Sequence, residues 1–166
     1  MLDGGRNTST REALGAVAEV LANPALFPAL FQELNNPEIL IKTRAAYAVS
    51  KISDQRPELL QPFKDEFLDH LGDPDNNAIT RACLLQTVHH LELAPNDLAT
   101  LVDWLQDFMH ADSSIVKTFS LQLLVDFAAA DESLRPTVMP VLWDALERGT
   151  PAMRARARKL IKKYGL

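Results

Sequence analysis

The sequence predicts an all-α protein built from about four repeated helix pairs, with one further helix capping the N-terminal end. Three observations support this fold class. Apolar residues recur at spacings of three and four along most of the 166 residues, and few stretches show the alternation that is typical of strands. Pro, Asn, Asp and Gly fall between these periodic segments. Residues of the same class also return about every 37 positions, a period that fits two helices and two turns.

The helices can be placed from the periodic segments and from the residues that open them. Ser9 and Glu12 have the spacing of a capping box, so the first helix is expected to begin near Ser9 and residues 1–8 to be disordered. Proline opens several later helices, where its missing N–H costs nothing because that donor has no partner within the helix. The predicted helices cover residues 9–22, 24–34, 38–53, 57–71, 77–92, 95–110, 113–129, 133–148 and 151–164.

The second helix of each pair carries the same pattern of residue classes. Four segments align without gaps: 41–52, 80–91, 116–127 and 153–164. Each has Lys or Arg in its second position, an aliphatic residue in its ninth and a large apolar residue in its twelfth. The four bases are Lys42, Arg81, Lys117 and Arg154, which stand 39, 36 and 37 residues apart. This alignment predicts a single domain over residues 9–166, with repeats at about 24–53, 57–92, 95–129 and 133–164.

These residues resemble HEAT repeats of the armadillo-like superfamily, whose pattern is a helix, a turn that often contains Asp-Pro, and a second helix that opens with Val-Arg. The turns here contain Asn36-Pro37 and Asp73-Pro74, whereas the turn before residue 151 has no Asp. The resemblance covers residues 24–166, and residues 10–21 resemble a lone second helix acting as a cap. It implies a right-handed α-solenoid whose second helices line the concave side, where partners of such proteins usually bind.

The resemblance also implies a structural role for the base that opens each second helix. In HEAT-like stacks this base typically bonds the acid in the turn of its own or an adjacent repeat, and Asp73 and Asp112 stand in suitable turns. We therefore expect a ladder between repeats formed by Lys42, Arg81, Lys117, Arg154, Asp73 and Asp112. A row of bases that binds anions is the alternative.

The sequence contains no Gly-rich phosphate loop, no nucleophile elbow and no HExxH motif, so we predict no catalytic, cofactor-binding or metal site. His89 and His90 are adjacent on a predicted helix, where their side chains would diverge by about 100° and could not share one ion. His70 and His110 end two first helices, where a positive charge is favourable. Cys83 stands among apolar residues and is expected to be a packed core thiol.

Charge is distributed unevenly along the chain. The formal net charge is −5, but residues 1–150 carry −11 and residues 151–166 carry +6. On a helical wheel the apolar residues of the last segment fall on one stripe, so this segment is predicted to be the second helix of the last repeat rather than a disordered tail. Its outward bases are candidates for binding nucleic acid or phosphate: Arg156, Arg158, Lys159, Lys162 and Lys163.

The expected function is that of a non-catalytic scaffold or adaptor that binds another protein. A tryptophan, Trp104 or Trp143, would serve as a contact anchor if exposed, and acidic groups on two first helices would suit a basic partner. These groups are Asp65, Glu66, Asp69, Asp103 and Asp107. Binding of nucleic acid through the basic last helix is one alternative, although an acidic body repels phosphate. A second alternative is an enzyme similar to HEAT-type lyases that attach bilin chromophores.

The composition also bears on where the protein is expected to act. No apolar run approaches the ~18 residues that span a membrane, and the N-terminal residues lack the layout of a signal peptide. The single cysteine excludes an internal disulfide framework. We therefore expect a soluble cytoplasmic protein with no membrane partner.

Overall fold

The computed structural model of the chain describes the backbone of residues 4–166 and the side chains of residues 11–166. Every regular element in this range is an α-helix or a 3₁₀ turn, so the predicted all-α class is confirmed. The helices are α1 (Gly4–Ala22), α2 (Phe27–Gln32), α3 (Ile39–Ser53), α4 (Lys64–Gly72), α5 (Ala78–Thr87), α6 (Pro95–Phe108), α7 (Ser114–Ala130), α8 (Arg135–Arg148) and α9 (Pro151–Tyr164). None of the described helices is long and apolar enough to cross a membrane.

The chain divides into two compact units, Met1–Glu92 and Leu93–Leu166. In the first unit, α1 is followed by two helix pairs whose second members are α3 and α5. The first members are interrupted by four 3₁₀ turns, three of which contain a proline, which cannot donate a backbone hydrogen bond within a helix. These turns are Pro24–Leu26 and Glu33–Asn35 around α2, and Pro57–Leu59 and Gln61–Phe63 before α4. No 3₁₀ turn interrupts the start of either second member, α3 or α5. Helix α3 packs against both α1 and α5.

Aromatic rings form a cluster in the core of the first unit. Phe27 and Phe31 of α2 are buried, and their ring centroids lie 5.6 and 4.8 Å from that of Phe63. The Phe31 ring also lies 5.8 Å from the ring of His70 on α4. Fully buried aliphatic residues of the same unit include Leu34, Ile52, Leu60, Leu71, Leu84 and Leu85. The two first helices are therefore joined by ring contacts as well as by aliphatic packing.

The second unit holds two helix pairs, α6 with α7 and α8 with α9. Within this unit α7 contacts α6, α8 and α9. Its core includes Leu101, Leu105, Leu121, Leu124, Leu142 and Leu160. A turn of two residues, Gly149 and Thr150, joins α8 to α9, and the Thr150 hydroxyl caps α9 by accepting the Met153 N–H at 3.3 Å. The residue after α9 is Gly165, whose φ of 66° costs glycine little.

The predicted N-terminus differs from the structure. The first helix begins at Gly4, so Ser9 lies inside α1 and the predicted start at a Ser9 cap is wrong. Small and polar residues such as those at 4–8 have lower helix propensity than alanine, but only proline would stop the helix outright. The predicted disordered segment 1–8 thus overlaps α1, and residues 1–3 lie outside the described range. The single domain over 9–166 stays a prediction, since the structure is described as two units.

Candidate interaction surface

The turn before α5 is held by the two bases of the predicted ladder that lie in the first unit. Lys42 Nζ lies 2.6 Å from Asp73 Oδ2, and Arg81 Nη2 donates to the carbonyl oxygen of Asp73 at 2.7 Å. The Lys42 hydrogen bond, followed by the Asp75 N–H that donates to Asp73 Oδ1, lowers the pKa of Asp73. Asp73 is therefore bonded by the base of the preceding repeat and by that of its own repeat.

The second unit lacks an equivalent ion pair. Among its described residues, neither Lys117 nor Arg154 forms a salt bridge, and Asp112 has no basic partner within that unit. The reason lies in the sequence of the turn before α9, where Gly149 and Thr150 offer no carboxylate. A ladder that runs through all four repeats stays a prediction.

Removing the Arg81 guanidinium should destabilise the fold. We expect Arg81→Ala to lower the free energy of unfolding by roughly 1.5–3 kcal/mol, because a charged donor to a partly buried carbonyl is lost. Arg135→Ala is the matched control, since Arg135 lies at the surface and pairs with Glu132 three residues before it. Urea unfolding followed by circular dichroism measures both. Equal stability of Arg81→Ala and the wild type would remove Arg81 from any structural ladder.

Hydroxyl groups join consecutive second helices in both units. Thr43 Oγ1 lies 2.8 Å from Thr80 Oγ1 in the first unit, and Ser114 Oγ lies 2.8 Å from Thr150 Oγ1 in the second. Asn77, whose side chain caps α5 by accepting the Thr80 N–H, also donates to Thr43 Oγ1 at 2.9 Å. These bonds fix the first turns of neighbouring second helices side by side.

An exposed aliphatic residue stands two positions before the base in three of the second helices. Leu40, Ile79 and Ile115 are 53, 64 and 49% exposed. Residues two apart on a helix point about 200° apart, so a base directed at a neighbouring turn leaves this side chain facing solvent. The fourth equivalent residue is Ala152, which is also exposed. Periodicity alone did not reveal this feature, because an apolar residue at a helix start looks like a core residue.

In the first unit three exposed aliphatic residues lie on the first turns of two adjacent second helices. Ile39, which is 63% exposed, adjoins Leu40 on the first turn of α3, and Ile79 lies on the first turn of α5. The Thr43 to Thr80 hydrogen bond holds those two turns together. We call Ile39, Leu40 and Ile79 the aliphatic patch. Single exposed apolar residues are common, so it is their equivalent position on adjacent second helices that makes these three a candidate contact surface.

Acidic residues border the aliphatic patch. Glu38 precedes Ile39, and Asp75 lies in the turn that leads to α5. Both are exposed, and neither forms an ion pair with another described residue. The base nearest to Glu38 in sequence, Lys42, is engaged by the Asp73 carboxylate, and the base nearest to Asp75, Arg81, donates to the Asp73 carbonyl oxygen. The patch therefore combines aliphatic side chains with unneutralised negative charge.

The last helix docks as predicted, but its candidate bases differ in their surroundings. Met153, Ala157 and Leu160 are buried, whereas the five bases lie on the outer side or at the edge of α9. Arg156 Nη1 donates to Gln122 Oε1 of α7 at 2.8 Å, and its guanidinium lies 5.8 Å from the Phe119 ring centroid.

Asp126 of α7 engages the end of the same helix. Lys163 Nζ lies 3.3 Å from Asp126 Oδ1, to which the Tyr164 hydroxyl also donates. The remaining three bases, Arg158, Lys159 and Lys162, are exposed and have no described partner. Two of the five candidate bases are therefore already bonded to α7, which weakens the case for a phosphate site.

The structure overturns one expectation about the histidines. Helix α5 ends at Thr87, and Val88–His90 form a 3₁₀ turn in which the His89 and His90 ring centroids lie 3.9 Å apart. The prediction that these rings point away from each other is therefore wrong, because it assumed a continuous α-helix. Asp54, which no sequence pattern indicated, lies with them: ligand atoms of the three residues lie within 4.8 Å of one another.

The remaining candidate residues from the sequence differ in how deeply they are buried. His70 is buried and burial lowers its pKa, so the positive charge predicted for it at a helix end is disfavoured. Cys83 is buried, and burial raises the pKa of its thiol to about 11. Trp143 is 42% exposed and Trp104 is half-buried. Of the acidic groups, Asp65, Asp69, Asp103 and Asp107 are exposed, while Glu66 accepts a hydrogen bond from Gln32.

Comparison with known proteins identifies the repeat. A family model described as the HEAT repeat domain matches residues 5–163. Comparison with curated proteins and with solved structures finds no match. The match covers nearly all of α1 and of the four helix pairs, in agreement with the aligned bases and with the packing of α3 on α5 and of α7 on α9. The chain belongs to the HEAT repeat family.

Proposed function

We propose that this protein is a non-catalytic HEAT-repeat scaffold or adaptor that binds a segment of another protein at the aliphatic patch. The observation that carries the proposal is the exposure of Leu40, Ile79 and Ile115 at equivalent positions of three repeats. HEAT repeats generally serve protein interactions, and repeat proteins use surfaces built from equivalent residues of successive repeats. We further propose that it acts in the cytoplasm, where a lone buried thiol such as Cys83 stays reduced.

The chemistry of the patch indicates what kind of segment it binds. Covering Ile39, Leu40 and Ile79 removes apolar surface from water, which favours a partner with Leu, Ile, Val or Met side chains. Glu38 and Asp75 have no ion-pair partner among the described residues and favour Lys or Arg next to those side chains. The proposed ligand is thus a basic and aliphatic segment of a partner protein.

Selection of peptides from a random display library tests this proposal on the full chain. We expect enriched peptides to combine aliphatic residues with Lys or Arg. The double variant Leu40→Ser/Ile79→Ser should bind them roughly tenfold or more weakly, since central apolar contacts contribute most of the affinity. Leu14→Ser is the matched control, because Leu14 is 47% exposed on α1 and outside the patch.

A charge reversal separates the two components of the patch. Glu38→Lys/Asp75→Lys should lose the basic peptides and gain acidic ones while keeping the aliphatic preference. Peptides that bind the Leu40→Ser/Ile79→Ser variant as well as the wild type would overturn the proposal, as would enriched peptides without basic residues.

Nucleic acid is the alternative partner, and only Arg158, Lys159 and Lys162 favour it. Their exposure on one helix would give a small, salt-sensitive contact with phosphates. Steeply salt-dependent retention on immobilised DNA that disappears in Arg158→Gln/Lys159→Gln/Lys162→Gln would support this alternative over the scaffold. No arrangement among the described residues favours the bilin lyase hypothesis.

A further inference from the structure

We propose that Asp54, His89 and His90 form a binding site for a divalent metal ion of the zinc type, a role that the scaffold function does not require. Asp54 stands at the C-terminal end of α3, and the two histidines end the 3₁₀ turn that follows α5. Because α3 packs against α5, these two ends bring the three side chains together. The site thus spans two successive repeats of the first unit.

The distances suit a single small ion. His90 Nε2 lies 3.1 Å from Asp54 Oδ1. Two ligands of a tetrahedral zinc ion, each 2.0–2.1 Å from the metal, lie about 3.3 Å apart, so this pair is already at ligand spacing. The ligand atom of His89 lies within 4.8 Å of both, so it has to approach by no more than about 1.5 Å. His89 is exposed, and a change of its side-chain rotamer would supply that movement.

The Asp54 carboxylate presents a different oxygen to each of two neighbours, Lys51 and His90. Lys51 Nζ lies 3.3 Å from Oδ2, which leaves Oδ1 directed at His90. A metal ion would take the place of the hydrogen that His90 and Asp54 now share, with the imidazole as a neutral ligand.

The set of donors indicates the class of metal. Two imidazole nitrogens and one carboxylate oxygen are typical ligands of Zn²⁺ and of neighbouring transition metals, whereas Ca²⁺ and Mg²⁺ prefer oxygen ligands. Three protein ligands leave at least one coordination position for water or another donor. His90 also borders an open groove lined by Pro57, Glu58, Gln61, Pro62 and Glu92, through which water would reach a bound ion.

Titration of the untagged, metal-free full chain with Co²⁺ at pH 7.5 tests the site directly. We expect one Co²⁺ per chain, with visible absorption bands of a low-coordinate ion, and displacement of Co²⁺ by one equivalent of Zn²⁺. Asp54→Asn, His89→Asn and His90→Asn should each weaken binding roughly tenfold or more, since the loss of an outer-shell partner alone typically costs 10- to 100-fold. His110→Asn, at an exposed histidine of the second unit, should bind like the wild type.

Thermal unfolding gives a second readout that does not depend on absorption. Saturating Zn²⁺ should raise the melting temperature of the wild type and of His110→Asn, and leave that of His89→Asn/His90→Asn unchanged. Equal Co²⁺ affinity of Asp54→Asn and the wild type, or a stoichiometry well below one, would overturn the site. Peptide binding at the aliphatic patch is measured without metal, so failure of either proposal leaves the other intact.

Discussion

Replacing Phe31 with alanine is expected to lower the free energy of unfolding by about 3–5 kcal/mol, because a fully buried aromatic side chain is removed from a packed core. Its ring contacts three other rings: Phe27 in the same helix, and Phe63 and His70 in the next repeat. The cavity would therefore separate two first helices that now share these contacts, and the surrounding backbone can collapse into it only in part.

Phe31→Leu is the matched control, since it keeps most of the apolar volume, and we expect it to cost roughly 1–2 kcal/mol. Urea unfolding followed by far-ultraviolet circular dichroism measures both variants. Tryptophan fluorescence is less suitable, because Trp104 and Trp143 both lie in the second unit. A loss for Phe31→Ala no larger than that for Phe31→Leu would contradict the role of the ring cluster.

Gly149→Ala, which adds a single methyl group, is expected to lower the free energy of unfolding substantially. A Cβ atom at Gly149 would lie 2.2 Å from the carbonyl oxygen of Ala145 and 2.9 Å from the Cβ of Met153. Relief of this overlap requires movement of backbone in the two-residue turn between α8 and α9. We expect a loss of about 3 kcal/mol in the free energy of unfolding, as for other overpacked sites.

Gly15→Ala is the matched control: it adds the same methyl group, but we expect it to raise the free energy of unfolding. Gly15 lies within α1, and a Cβ atom there would meet nothing within 4 Å. Alanine has the higher helix propensity, so this variant should gain about 0.5–1 kcal/mol. Both variants are measured by the same urea titration. If the two substitutions shift stability in the same direction, close contact is not what selects glycine at position 149.

The fold could be predicted from the sequence because its signals are local. Apolar periodicity places the helices, proline opens them, and the bases at Lys42, Arg81, Lys117 and Arg154 set the register of the pairs. The docking of α9 followed from the same periodicity, since Met153, Ala157 and Leu160 fall on one stripe. The prediction was least accurate where an α-helix gives way to a 3₁₀ turn, as at Val88–His90, because the two forms share one residue pattern.

The candidate sites were harder to predict because they depend on contacts between repeats. Asp54 reaches His90 from 36 residues away, and no local pattern marks a carboxylate that will meet a histidine at the end of the next repeat. The aliphatic patch was hidden for another reason: only the packing of α3 against α5 shows that Leu40 and Ile79 face outward. In both cases tertiary packing, rather than periodicity, decides what a side chain contacts.

The hydrogen bonds between repeats described above join residues of similar separation. Lys42 to Asp73 spans 31 positions, Thr43 to Thr80 spans 37, and Ser114 to Thr150 spans 36. A duplicated segment one period long would therefore present both halves of each such bond to its neighbours, with no partner lost at the new junctions. The length of an array held together in this way is free to grow or shrink by whole repeats, and binding surfaces made of equivalent residues would lengthen with it.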